Sequence, residues 1–163
     1  MGLVKLNGPN GKSLRNQTVH VTDIETQVLP YTEEALHILK REQGVGLAAP
    51  QIGVPYAWYV DLSGNFRINP LILESEEPQE MVEGCLSLPD KWYRKTRFKN
   101  VVLGYTDISG VECQEELKDL LAYIAQHETE HLSGQILSDT GQRVYAGEVE
   151  ATSVQSDGTL TQQ

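Results

Sequence analysis

Cysteine is scarce in this chain, with two in 163 residues, and methionine, tryptophan and phenylalanine also occur only twice each. Two thiols, Cys85 and Cys113, can close at most one bridge, which excludes the disulfide-stapled scaffold of small secreted domains. No apolar run approaches the ~20 residues that cross a bilayer as a helix, so no membrane partner is expected. The N-terminus has neither the charged-then-apolar stretch of a secretory signal nor the Arg- and Ser-rich pattern of a transit peptide. Met1-Gly2 opens like a myristoylation signal, but Leu6 stands where Ser or Thr is required. Positive charge is short as well: 13 Lys and Arg face 23 Asp and Glu, for a net charge of −10. A polyanion would be repelled, so no direct nucleic-acid partner is expected. These absences lead to the expectation of a cytoplasmic protein in which at least one thiol has a reactive or metal-binding role.

What is present suffices for one core. Apolar residues make up 39% of the chain, and this length is typical of a single domain. The first thirty residues, rich in Gly, Asn and Pro, read as loop with short elements. From Thr32, the expected N-cap, TEEALHILKREQ places Glu33 and Glu34 in its first turn and Lys40 and Arg41 near its end. A helix dipole favours that order, and Gly44 supplies the stop. Ala35, Leu36 and Leu39 give this helix its apolar face. Segments of β type follow at Tyr56 to Leu62, Phe66 to Leu73 and Phe98 to Tyr105, with turns at Ser63-Gly64-Asn65 and Ser109-Gly110. A second helix is expected from about Gln114 to Leu132, with Gly134 just beyond it. Strands first and a long helix later indicate an α+β fold, not a βαβ parallel sheet. Residues 1–140 read as one domain. Residues 141–163, rich in Gly, Gln, Ser, Thr and Glu, read as a C-terminal tail, part of that domain or mobile.

The strongest signal is Gln126-His127-Glu128-Thr129-Glu130-His131, which contains H-E-x-x-H. On a helix, positions four apart share a face, so both imidazoles can reach one ion while Glu128 stands beside it as a base for water. Leu117, Leu120, Leu121 and Ile124 recur at helical spacing and turn that face inward. The structural alternative is a pair of buried neutral histidines with hydrogen-bonded partners. Catalytic centres of this kind usually take three protein ligands and keep a fourth position open. Cys85, Cys113, His20, His37 and several carboxylates are all candidates for the third. Cys85 lies in the tight, mostly uncharged stretch Glu83-Gly84-Cys85-Leu86-Ser87-Leu88-Pro89, although a lone buried cysteine is more often a small hydrophobe. Cys113, at the expected helix start, reads as inert.

Three segments resemble, in order, the motifs of the peptide deformylase family. Gly44-Val45-Gly46-Leu47-Ala48-Ala49-Pro50-Gln51 is similar to its G-φ-G-φ-A-A-x-Q, and Glu83-Gly84-Cys85-Leu86-Ser87 to its E-G-C-L-S. Gln126 to His131 is similar to Q-H-E-x-D-H apart from one residue. Weaker similarity, such as Ile68-Asn69-Pro70, extends it over roughly residues 10 to 140. The resemblance implies small antiparallel or mixed β-sheets wrapped around a central helix that carries H-E-x-x-H. It implies a metal-dependent hydrolase that removes the formyl group from N-formylmethionyl nascent peptides. Cys85, His127 and His131 would bind one divalent metal, with Fe(II) expected and zinc also able to occupy the site, and water in the fourth position. Glu128 would act as general base and then acid, and Gln51 with the backbone N–H of Leu86 would hold the oxyanion. The extended peptide would run near Gly46 and Gly84, with Val45, Met81, Leu120 and Ile124 around the methionine side chain. A monomer is expected, with the ribosome as a candidate partner.

Three departures stand out. Glu130 replaces the family's usual Asp, Trp92 stands where a basic residue is common, and no basic C-terminal helix is evident. Two rival readings are open at this point. A zinc peptidase would need a ligand from Asp139, Glu148, Glu150 or Asp157, because residues 132–163 contain no His or Cys. A non-catalytic domain of the same ancestry would bind peptides without turnover.

Overall fold

The computed structural model describes residues 2–145, 152–155 and 160–162. The N-terminal segment runs through a 3-10 turn at Gly11–Arg15, a short helix α1 (Ile24–Gln27) and a second 3-10 turn at Leu29–Tyr31. Helix α2 spans Thr32–Arg41. Thr32 is its first helical residue and donates its hydroxyl to Leu29 O (3.1 Å), so Tyr31 takes the N-cap position expected of Thr32. The buried face is Ala35, Ile38 and Leu39, while Leu36 points to solvent. The chain leaves this helix through Gln43, at φ 54°. Gly44 N–H bonds Leu39 O (2.8 Å) and Gln43 N–H bonds Lys40 O (3.1 Å). That is a Schellman ending in which Gln43 takes the left-handed position expected of Gly44.

Next come β1 (Gly46–Ala48), a 3-10 turn at Ala49–Ile52, β2 (Trp58–Asp61), β3 (Phe66–Cys85), β4 (Leu88–Thr106) and β5 (Glu112–Lys118). Helix α3 (Leu120–Leu132), the short α4 (Leu137–Thr140) and β6 (Gln142–Val144) follow, then β7 (Thr152–Gln155) and β8 (Leu160–Gln162). The strands join in the order β1-β2-β3-β4-β5, antiparallel throughout, with β6 on β4 and β8 on β7. The one parallel pairing among the described strands is β7 on β3, matching Glu83 to Val154 and Gly84 to Gln155. The fold is α+β, as expected.

Three boundaries differ from the sequence reading, the first being that β4 begins at Leu88, ten residues before Phe98. β3 continues twelve residues past Leu73 to Cys85. Residues 73–80 are exposed on both faces, so no hydrophobic alternation marks them, and their pairing with β4 holds them extended. The stretch from Gln114 to Lys118 is strand, not helix. In β5 Cys113, Glu115 and Leu117 are shielded while their neighbours are exposed, a period of two. Helix α3 therefore begins at Leu120, after Asp119 turns the chain at φ 52°, ψ −123°.

Two large apolar clusters flank the sheet. One packs α2 and its approach against Leu47, Trp58, Val60 and Ile68. The other packs Ala122, Ile124 and Ala125 of α3 against Val45, Tyr59, Val101, Leu103 and Leu117. Gln126 docks this helix onto β4 by accepting Phe98 N–H (2.8 Å) and donating to Phe98 O (2.8 Å). At its far end Gly134, at φ 76°, closes a second Schellman turn. The central helix is thereby held with its histidine face against the strands.

Candidate metal and hydrolytic site

Three pieces of backbone converge here. The β3–β4 hairpin turns through Leu86 and Ser87, which presents Cys85 at the end of β3. Helix α3 presents His127, Glu128 and His131 on one buried face. The 3-10 turn after β1 presents Gln51. The N-terminal segment ties two of these pieces together, since Val4 N–H bonds Gln51 O (2.6 Å) and Leu6 N–H bonds Ser87 O (3.0 Å).

Cys85 Sγ lies 3.4 Å from His131 Nε2, and the two histidine Nε2 atoms are 3.1 Å apart. One donor atom from each of Cys85, His127 and His131 falls within 4.8 Å of the others. For a tetrahedral ion with the usual bond lengths, sulfur to nitrogen should be about 3.6 Å and nitrogen to nitrogen about 3.3 Å. The Cys85–His131 and His127–His131 pairs sit close to those separations and the remaining pair lies within 4.8 Å, so the set can hold a divalent cation. Burial, then the charges of His127 and Arg97, holds the His131 pKa well below its ordinary value. That favours the neutral imidazole a metal ligand requires. His20 and His37 are exposed, and Cys113 sits half-shielded on β5. Asp139 is ion-paired with Arg15 (2.5 Å) at the surface. Among the described residues, then, Cys85 completes the trio; Glu148, Glu150 and Asp157 lie outside them.

Glu83 accepts from His127 Nδ1 (3.1 Å) and thereby turns Nε2 toward the other donors. Arg97 grips Glu83 from the far side through Nε (2.5 Å) and Nη2 (2.9 Å). Burial would raise the Glu83 carboxyl, but the Arg97 charge, with hydrogen bonds from His127 and Arg97, holds it down at about 2. Arg97 also reaches Glu130, 2.6 Å from Nη1, and Lys95 Nζ meets the same oxygen at 2.6 Å. Burial works against ionisation of Glu130 too, and Arg97 and then Lys95 overcome it.

Gln51 has its carbonyl oxygen fixed by Ala48 N–H (2.9 Å). Its amide nitrogen is thereby aimed at Cys85 Sγ (3.8 Å) and Ser87 Oγ (3.3 Å). Ser87 in turn donates to Val4 O (2.6 Å). Glu128 is fully buried beside the trio, with Oε1 3.9 Å from His127 Nε2. Gly46 permits this closeness: a Cβ there would come within 2.7 Å of Ile124 Cγ2 and 3.3 Å of Glu128 Oε1. Val45, Leu120 and Ile124 belong to one apolar cluster, while Met81 is half-buried on β3 outside it. Trp92 is half-buried on β4, opposite Val144.

The polypeptide deformylase family profile matches residues 3–145. The chain belongs to the polypeptide deformylase family. Among its relatives, a peptide deformylase of Desulfotalea psychrophila is 35% identical over 135 residues, 77% of this chain and 80% of that one. One from Syntrophomonas wolfei is 40% identical over 129 residues, 77% of this chain and 85% of that one. Among solved structures, the peptide deformylase of Thermotoga maritima superposes with a TM-score of 0.78 at 33% identity, covering 86% of this chain and 97% of its own. A deformylase from a Vibrio parahaemolyticus bacteriophage, in complex with actinonin, gives 0.75 at 28% identity, covering 83% and 99%. As a member of the family, the chain is a metal-dependent hydrolase.

Sequence reasoning overlooked Arg97, Lys95, Ser87 and the docking amide of Gln126. Arg97 left the clearest trace, an arginine in the alternation that also carries Tyr93, Val101 and Leu103, although its immediate neighbours there are Lys95 and Lys99. Its partners, Glu83 and Glu130, lie too far along the chain for spacing to reveal them.

Proposed function

We propose that the chain hydrolyses the N-formyl group from N-formylmethionyl peptides, with Cys85, His127 and His131 holding one Fe(II) ion. The observation that carries this reading is the convergence of those three donors beside the buried Glu128 and the aimed amide of Gln51. When bound, the cation supplies Lewis acidity and makes water a stronger nucleophile at neutral pH. Glu128 takes the proton as water attacks the formyl carbon and then delivers it to the leaving amine. The fixed side-chain amide of Gln51 and the backbone N–H of Leu86 donate to the negative charge that grows on the formyl oxygen. Formyl is the smallest acyl group, so a site closed in by Gly46, Ile124 and Cys85 admits it and crowds acetyl.

On this reading the peptide lies extended between Gly46 and Gly84, bonded through its backbone, with its methionine side chain against Val45, Leu120, Ile124 and Met81. The protein acts as a cytoplasmic monomer on chains leaving the ribosome. In this structure β7 pairs with Glu83 and Gly84, so a peptide taking that edge displaces it.

Steady-state hydrolysis of formyl-Met-Ala-Ser by the Fe(II)-loaded protein tests the proposal. Turnover is expected, with Glu128→Ala slower by about 10²–10⁴. Peptide binding without turnover by the intact protein would instead support the non-catalytic reading.

A further inference from the structure

Strand β4 carries Lys95 and Arg97 two residues apart, so both side chains leave the same face, toward α3. The Arg97 guanidinium, 2% exposed, is divided between two carboxylates. It holds Glu83 through two bonds and reaches Glu130 through Nη1 (2.6 Å) and Nη2 (3.3 Å). One cation between the buried Glu83 and the partly buried Glu130 leaves a net negative charge with little access to water, which is costly. Lys95 supplies the second cation, 2.6 Å from Glu130 Oε1, and its Nζ also donates to Thr140 Oγ1 (2.5 Å) on α4. A chain of contacts therefore runs Thr140, Lys95, Glu130, Arg97, Glu83, His127. Glu130 stands where the family resemblance sets Asp, and its longer side chain meets both cations at one oxygen.

Resting on the metal-site reading above, we propose that Lys95 is a positioning residue for His127, acting through Glu130, Arg97 and Glu83. With Lys95 in place, Glu130 is neutralised by two cations and Arg97 stays committed to Glu83. Without it, Arg97 alone balances both carboxylates, is drawn toward Glu130, and loosens its hold on Glu83. His127 then loses the fixed acceptor that orients its ring. The test is release of Co(II) from the loaded protein to excess chelator, followed by the visible absorbance of the cobalt–thiolate chromophore. Lys95→Met is expected to release cobalt about tenfold faster, and Lys95→Arg to stay near wild type. In a Glu130→Asp background, where the shorter carboxylate no longer spans both cations, Lys95→Met should add little. Thr140→Val, which frees the far end of Lys95 and keeps its charge, should accelerate release to a smaller extent, and it serves if Lys95→Met does not fold. Wild-type release rates in both Lys95→Met and Thr140→Val would overturn the proposal. So would an acceleration by Lys95→Met that is the same with and without Glu130→Asp. Turnover of formyl-Met-Ala-Ser by the wild type is measured in parallel. Its absence would remove the hydrolytic reading and leave the cobalt comparison standing.

Discussion

Glu83 is buried, faces Arg97 on one side and His127 on the other, and has its carboxyl held down at about 2 from an ordinary 4.5. A carboxylate whose pKa is lowered by folding stabilises the fold fully above its unfolded value, and that contribution disappears as pH falls through the folded value. Glu83 therefore stabilises the protein at and above pH 4.5, and the gain is lost between 4.5 and about 2. Urea unfolding at pH 7 and at pH 3 should show wild type losing more stability across that interval than Glu83→Gln does. At pH 7 the substitution leaves the Arg97 charge without its main partner, a loss of about 3–5 kcal/mol for a buried pair. Equal pH sensitivity in the two proteins would mean that Glu83 is not the group titrating. The residues proposed to hold the cation were legible in the sequence: H-E-x-x-H marked His127 and His131 by spacing, and Cys85 stood out only through the family resemblance. The groups that hold them, Arg97 and Ser87, were not, because their partners arrive from other strands and from the N-terminal segment.

The junction between β5 and α3 illustrates how element boundaries escape a reading by periodicity. Leu117, Leu120, Leu121 and Ile124 have helical spacing, yet Leu117 lies on a strand and the others on a helix. Both elements bury apolar side chains in the same cluster, so one hydrophobic pattern runs across the break. The break itself is a backbone event at Asp119, whose φ of 52° and ψ of −123° are sparsely populated by residues with a side chain. The Asp119 side chain makes no capping bond, while its backbone N–H bonds Lys99 O (2.9 Å). Asp119→Gly retains that bond and relieves the strain, so it should raise stability by about 1 kcal/mol. Chemical denaturation measures this, and a destabilised variant would mean that the side chain contributes more than the strained backbone costs. By contrast α2 was read almost correctly, because Glu33, Glu34, Lys40 and Arg41 mark its two ends. Its inward face differed, turning Ile38 to the core in place of Leu36, and its N-cap and left-handed closing residue fell on Tyr31 and Gln43 in place of Thr32 and Gly44.

Taken whole, the molecule is a set of antiparallel strands with one helix held against them, and the α+β class was legible from element order alone. The length of the β3–β4 hairpin was not, since residues 73–80 bury neither face and only partner pairing defines them. The C-terminal strand is the other feature that composition concealed. β7 lies parallel to β3 at Glu83 and Gly84, the edge proposed for the peptide, and on that proposal tail and substrate would compete for one set of backbone groups. A chain ended at Tyr145 should show a lower KM for formyl-Met-Ala-Ser with kcat little changed, and the excised tail added back should inhibit competitively. An unchanged KM would mean that the tail leaves this edge without cost.

The most direct test of the whole assignment is metal binding by the intact chain, because the fold, the charge network and the hydrolytic reading all converge on one cation. Titration with Co(II) under anaerobic conditions should saturate at about one ion per chain and give an intense thiolate-to-metal absorption that Cys85→Ser abolishes. A spectrum that survives Cys85→Ser, or no saturable binding at all, would contradict it.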